Sequence, residues 1–153
     1  MSYFVTGGTG FIGRFLIGNL LKRKGTIHVL VRKASLKKFE AMAKKQAWDP
    51  KRVIAVAGDM TAANCGLTAA QVRALTGKVQ HFFHLAAIYD LTASAEEQQA
   101  ANIDGTRHAL DLGAALKVKC FHHASSIAAA GLYPGVFRED MFDEAEGLDD
   151  PYL

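Results

Sequence analysis

Acidic residues are almost missing from the first third of this 153-residue chain: residues 1–52 carry 12 of the 18 lysines and arginines but only Glu40 and Asp49 as acids. That third has a formal charge of +10 and the remainder −7, so the modest overall +3 conceals two opposed regions. Cysteine is scarce too. Cys65 and Cys120 lie far apart and match no metal-ligand spacing, which points to reduced thiols, with Cys120 read as a buried strand residue. No window approaches the roughly 18 consecutive apolar residues of a membrane span, and no basic segment followed by an apolar run opens the chain as in a signal peptide. The expectation is a cytoplasmic protein without a membrane span. Aromatic residues do not interleave with the basic ones as in a nucleic-acid stacking platform, so nucleic acid is excluded as a partner. The positive charge reads instead as a solvated face plus an anionic cofactor. Histidines stand in two close pairs, His81 with His84 and His122 with His123. Odd separations in a strand project to opposite faces, so neither pair converges on one ion, and no metal site is expected.

What the chain does have is hydrophobic residues, half of the total, enough for one domain with a sizeable core. They recur with alternating strand and helix periods: strands at 2–6, 26–31, 52–57, 79–85 and 118–124, and helices at 11–24, 35–47, 69–76 and 95–116. Capping boxes mark two helix starts, Thr68 with Gln71 and Ser94 with Glu97. Such alternation predicts an α/β fold, a doubly wound parallel sheet between two helix layers with strand order 3-2-1-4-5. Residues 1–153 read as one dinucleotide-binding domain. Its last part, 125–153, reads as a long active-site loop rather than a solvated tail, because Leu132, Tyr133, Val136, Phe137, Met141 and Phe142 are more apolar than a tail needs.

Between the first strand and the first helix stands Thr6-Gly7-Gly8-Thr9-Gly10-Phe11-Ile12-Gly13. Gly8, Gly10 and Gly13 fit the G-x-G-x-x-G spacing, in which glycines allow a tight turn, close approach of backbone to a pyrophosphate, and close packing of helix on strand. The helix that follows points its free N–H groups and positive dipole end at that pyrophosphate. An acid at the end of the second strand would accept a ribose 2′-OH; here the strand ends Leu30-Val31-Arg32-Lys33, which suits a 2′-phosphate. Arg14, in the first helical turn, is expected to reach the same pocket and complete a two-arginine clamp. NADPH is therefore the expected cofactor.

These stretches resemble the extended short-chain dehydrogenase/reductases, whose turn T-G-x-x-G-x-x-G is matched at Thr6–Gly13. Gly58-Asp59-Met60, His84-Leu85-Ala86-Ala87, Asn102-Ile103-Asp104-Gly105-Thr106 and Ala124-Ser125-Ser126 follow in the family's order. The wording of residues 3–16, 122–131 and 137–142 is closer still to the amino-terminal reductase unit of bacterial fatty acyl-CoA reductases. The resemblance implies NADPH-dependent reduction of a long-chain acyl thioester or fatty aldehyde toward the alcohol. It gives Gly7, Gly10 and Gly13 to the pyrophosphate, Asp59 with Met60 to the adenine, and Leu85, Ala86 and Ala87 to the cofactor where it crosses the fourth strand. Asn102 would sit behind the catalytic centre, Ser126 would hold the substrate oxygen, and Tyr152 would be the tyrosine of the Y-x-x-x-K pair.

A carbonyl receiving hydride builds negative charge on its oxygen, which is the reason for a serine and an acidic tyrosine at that point. The lysine of the pair, which lowers the tyrosine's pKa, falls three positions past Leu153. The chain is accordingly expected to be the amino-terminal portion of a reductase, to bind cofactor better than it catalyses, and to self-associate through its last strand as an exposed edge. Two other readings stay open: an NADP-linked reductase or epimerase of a sugar nucleotide or other small carbonyl compound, and a non-catalytic NADP(H)-binding module.

Overall fold

The first strand is apolar on both faces, and this sets the architecture. In the computed structural model, which describes residues 1–90, 92–141 and 143–145, strand β1 (Ser2–Thr6) is buried along its whole length. It lies at the centre of a five-stranded parallel sheet with β2 (Thr26–Val31), β3 (Val53–Ala57), β4 (Val79–His84) and β5 (Cys120–His123). The order is β3-β2-β1-β4-β5, as predicted. Chain direction across the sheet reverses beside β1, which leaves a crevice at the carboxyl ends of β1 and β4.

Alternation along the strands sorts the core into two layers. Tyr3, Val5, Ile27, Val29 and Val31 pack with Ile17 and Leu20 of helix α1 (Phe11–Leu21) and Phe39 of α2 (Leu36–Lys45). On the other face Phe4, Val56, Val79 and Phe82 pack with Leu75 of α3 (Ala69–Leu75) and with Ala109 and Leu112 of α5 (Gly105–Ala115). Helix α1 ends three residues before the expected position. The Arg52 guanidinium, from the residue before β3, donates to the carbonyl oxygens of Leu21, Arg23 and Gly25, satisfying groups that a helix terminus leaves unpaired.

Both capping boxes form: Thr68 Oγ1 accepts from the Gln71 amide and Ser94 Oγ from the Glu97 amide. The helix expected at 95–116 is not one regular α-helix. A short α4 (Ala95–Gln98) passes into a π-helical turn at Gln99–Asp104 before α5, the wider winding that places Asn102 and Thr106 as described below. The α2 helix is likewise preceded by a 3₁₀ turn at Lys33–Ser35.

Cys120 corrects the sequence reading: it is exposed, whereas Cys65 is buried. Strand β5 begins only at Cys120 and, among the described residues, pairs with β4 alone, so an apolar residue there is not enclosed as in a central strand. Among the described residues no helix is long and apolar enough to cross a membrane. Residues 1–123 make up one compact unit and 124–153 another. The second contains 3₁₀ turns at Ile127–Ala130 and Asp143–Ala145 and an exposed ion pair between Arg138 and Asp140 at 3.1 Å.

Candidate functional site

A trough of about 390 Å³ opens at the carboxyl ends of the strands, bounded by the glycine turn, the end of β2, the loop after β3 and the loop after β4. Thr6, Gly7, Thr9 and Gly10 form its floor on one side. Gly7 has φ +69°, and a side chain there would also strike the backbone of Leu85 and Ala86, with its first carbon 2.7 Å from the Ala86 nitrogen. Only glycine lets the turn adopt this conformation so close to the β4 loop. Gly13 is buried where a Cβ would run into Gly7 O and Gly8; its role is to press α1 against the turn. No side chain caps the first turn of α1, and no acid stands in it, so its amide groups remain available to an anion.

Arg32 and Ser35 line the trough beyond β2, and the arginine gives that end positive charge. Arg14 does not line it; its Nε instead donates, at 3.4 Å, to the Gly10 carbonyl. Gly8, Phe11 and Ile12 also lie outside the lining, with Phe11 and Ile12 exposed on the helix. On the far side, Gly58, Asp59, Met60 and Thr61 make the wall. Asp59 Oδ1 accepts from the Thr61 amide and hydroxyl at 3.0 and 2.9 Å, fixing this loop as a tight turn. His108 of α5 holds the Met60 carbonyl at 2.9 Å. The Cys65 thiol beneath the loop is pushed up to about 12, first by burial and then by the charges of Asp59 and Asp111, so it is inert as a nucleophile near neutrality.

Leu85, Ala86, Ala87 and Ile88 close the trough on the β4 side, and a buried hydrogen-bond chain holds them. Its proton order follows from its far end. Thr106 Oγ1 lies 2.6 Å from the Asn102 carbonyl, which can only accept, so the hydroxyl spends its single proton there. Towards His84 Nε2, 3.1 Å away, Thr106 must then accept, and the imidazole proton sits on Nε2. The His84 Nδ1 lone pair is left to accept the Thr6 hydroxyl proton at 2.8 Å, which frees the Thr6 oxygen to accept from the Leu85 and Ala86 amides, each at 3.2 Å.

Burial first, and the neighbouring His123 second, pull the His84 pKa down to about 4; the neutral ring that the chain of bonds requires is the form that burial favours. Asn102 fixes the next residue: its Oδ1 accepts from the Ile88 amide at 2.8 Å and its Nδ2 donates to the Ile88 carbonyl at 3.0 Å. Sequence spacing does not assign the roles of Thr106 and His84, because their mutual contact spans 22 residues and that of His84 with Thr6 spans 78.

Ser126 is exposed and immediately precedes the 3₁₀ turn at Ile127–Ala130, in the unit formed by residues 124–153. Tyr152 lies outside the described residues.

The profile of the family described as male sterility protein matches residues 5–151. A component of the linear gramicidin synthase of Brevibacillus parabrevis is 32% identical over 162 residues, spanning 97% of this chain and 3% of that protein. A provisionally named fatty acyl-CoA reductase of Drosophila melanogaster is 28% identical over 166 residues, spanning 97% of this chain and 30% of its own length. Among solved structures, the terminal R domain of the myxalamid PKS-NRPS biosynthetic pathway superposes with a TM-score of 0.79 at 27% identity, over 92% of this chain and 38% of that one. The chain thus spans less than a third of either of these curated relatives.

Proposed function

This chain belongs to the male sterility protein family, within the extended short-chain dehydrogenase/reductases, and from that premise we propose that it supplies the NADPH site of a reductase acting on a fatty acyl thioester or fatty aldehyde. The observation that carries the proposal is the trough itself, in which an uncapped helix terminus and a glycine turn adjoin a cationic end at Arg32 with no acid in its place. When bound, the reduced nicotinamide supplies the hydride.

The residues present fit the cofactor. Amides of the turn and of the first turn of α1 take the pyrophosphate, with Gly7 and Gly10 giving the close approach and Gly13 holding the helix near enough. Arg32 and the Ser35 hydroxyl suit a 2′-phosphate, and Asp59 can accept from the adenine amino group while one of its oxygens holds Thr61. Leu85, Ala86 and Ala87 offer small apolar surface to the part of the cofactor crossing β4, at a height set by Thr6 and His84. Asn102 acts by positioning Ile88. Ser126 and Tyr152 keep the roles that the resemblance gives them: Ser126 donates a hydrogen bond to the substrate oxygen, and Tyr152 passes it a proton as charge develops there. The lipid substrate rests on the closeness in wording to the fatty acyl-CoA reductases.

The test is a fluorescence titration of the chain with NADPH and NADH, followed by turnover assays of a version extended through the lysine of the Y-x-x-x-K pair, with long-chain acyl-CoA and long-chain aldehyde. Preference for NADPH with reduction of either lipid is expected. Tight NADPH binding with turnover of a sugar nucleotide or short carbonyl compound instead would overturn the substrate assignment, and preference for NADH would overturn the cofactor assignment.

A further inference from the structure

Three potential metal ligands meet on the sheet at its β5 edge, away from the residues lining the trough. In-register pairing sets His81 of β4 opposite Cys120 of β5, and Phe83 opposite His122. Residues two apart in a strand share a face, so His81, Phe83, Cys120 and His122 all project from the same side. His81 Nδ1 and His122 Nε2 stand 3.0 Å apart, and Cys120 Sγ is 3.9 Å from His122 Nδ1. One donor atom from each of the three lies within 4.8 Å of the other two. The His122 ring is stacked on Phe83, with centroids 4.3 Å apart and planes 7° from parallel, so its orientation is fixed before any ion arrives. We propose that His81, Cys120 and His122 form a binding site for zinc or a similar thiophilic divalent metal ion, with the fourth position open to water.

The arithmetic of the site agrees. Zinc takes nitrogen at about 2.0 Å and sulfur at about 2.3 Å, so tetrahedral ligands stand roughly 3.3–3.7 Å apart. The two imidazole nitrogens need to part by only a few tenths of an ångström; Cys120 Sγ lies against the other nitrogen of His122, Nδ1, and has to turn towards the Nε2 that faces His81, a move within the 4.8 Å that separates the three donor atoms. Both rings are suited to the task, since each can offer a lone pair on one nitrogen and keep its proton on the other. The proton now shared between the rings occupies the place that the metal takes. Binding balances by release of the Cys120 thiol proton to solvent, and no electron is transferred. A borderline-soft ion is selected because a thiolate with two imidazoles discriminates against magnesium and calcium. A bound ion would staple β5 to β4. The within-strand histidine pairs do not converge, as their spacing requires; the convergence is between strands, where sequence separation is 41 residues.

The test uses the metal-stripped protein and zinc(II) in competition with a chromophoric chelator, with cobalt(II) as a spectroscopic probe. One equivalent should bind with a micromolar or tighter dissociation constant, and cobalt should give a thiolate charge-transfer band. Cys120→Ser should abolish the band, and Cys120→Ser and His81→Gln should each weaken zinc by about tenfold or more, while His28→Gln on β2 leaves binding unchanged. Should a variant fold poorly, the wild-type protein still decides the matter: zinc should slow alkylation of exposed Cys120. A missing charge-transfer band, an unprotected Cys120, or affinity that ignores both substitutions would overturn the proposal.

Discussion

The two sides of β1 do different work with different means. Towards β2 and β3 the trough is built from local chain features: a turn whose glycines meet backbone, a helix start without a cap, and a basic residue where the second strand ends. Towards β4 and β5 the sheet carries histidines, and each acts through a partner distant in sequence, Thr6 with His84 at 78 residues and His81 with His122 at 41. The first side presents charge and amides to an anion; the second holds the His84 ring in one tautomer and sets the height of the Leu85–Ala86 backbone. The difference teaches that the recognition surface is written locally, whereas the frame that keeps it in shape is written in strand register.

The two sides touch at Gly7, and the largest expected effect lies there. Gly7→Val demands a β-branched residue at φ +69° and drives its Cβ into the Leu85–Ala86 backbone; strain and overpacking together should cost about 4 kcal/mol of stability and abolish NADPH binding. Urea unfolding measures the first and fluorescence titration the second. A near-native midpoint would mean that the turn and the β4 loop are not held against each other.

Next in size is a pH effect whose largest contributor, His84, lies on the β4 side. His84 has its pKa lowered from 6.5 to about 4 in the folded chain, so between those values the unfolded state binds the proton and the folded state does not. Stability should be flat above about pH 6.5 and fall as pH drops towards 4, by about 3 kcal/mol at most. His28 and His122, also lowered by burial, add to the same slope. Denaturant midpoints at several pH values check this, and His84→Gln should flatten the slope while lowering stability throughout; an unchanged slope would remove His84 from the account.

This contrast also explains what is legible in the sequence. The sheet order, both capping boxes and the glycine turn follow from short-range patterns, and they are present as expected. The end of α1 escapes a local reading because its stop is Arg52, some thirty residues on. The π turn at Gln99–Asp104 escapes it because helical periodicity barely distinguishes 3.6 from a locally wider winding. Cys120 reads as buried from the apolar pattern of its strand, although the predicted order already sets that strand at the edge. The His81–His122–Cys120 cluster is invisible in the sequence because only register brings those side chains together.

The smaller effects test the local side. Arg32→Ala removes the charged residue lining the trough beyond β2 and should weaken NADPH by about 2 kcal/mol, the worth of a hydrogen bond to a charged group, with NADH nearly unaffected; equal losses would deny a 2′-phosphate contact. Arg14→Ala should do less, under about 0.7 kcal/mol, because its guanidinium is engaged with the Gly10 carbonyl and does not line the trough. The pair of titrations decides how the clamp is built. If Arg14→Ala costs as much NADPH affinity as Arg32→Ala, the side chain must swing from Gly10 onto the phosphate when the cofactor binds, and the first helical turn joins the specificity pocket. If it costs little, Arg32 at the end of β2 discriminates alone, and the missing acid at that position is the local fact on which cofactor choice turns.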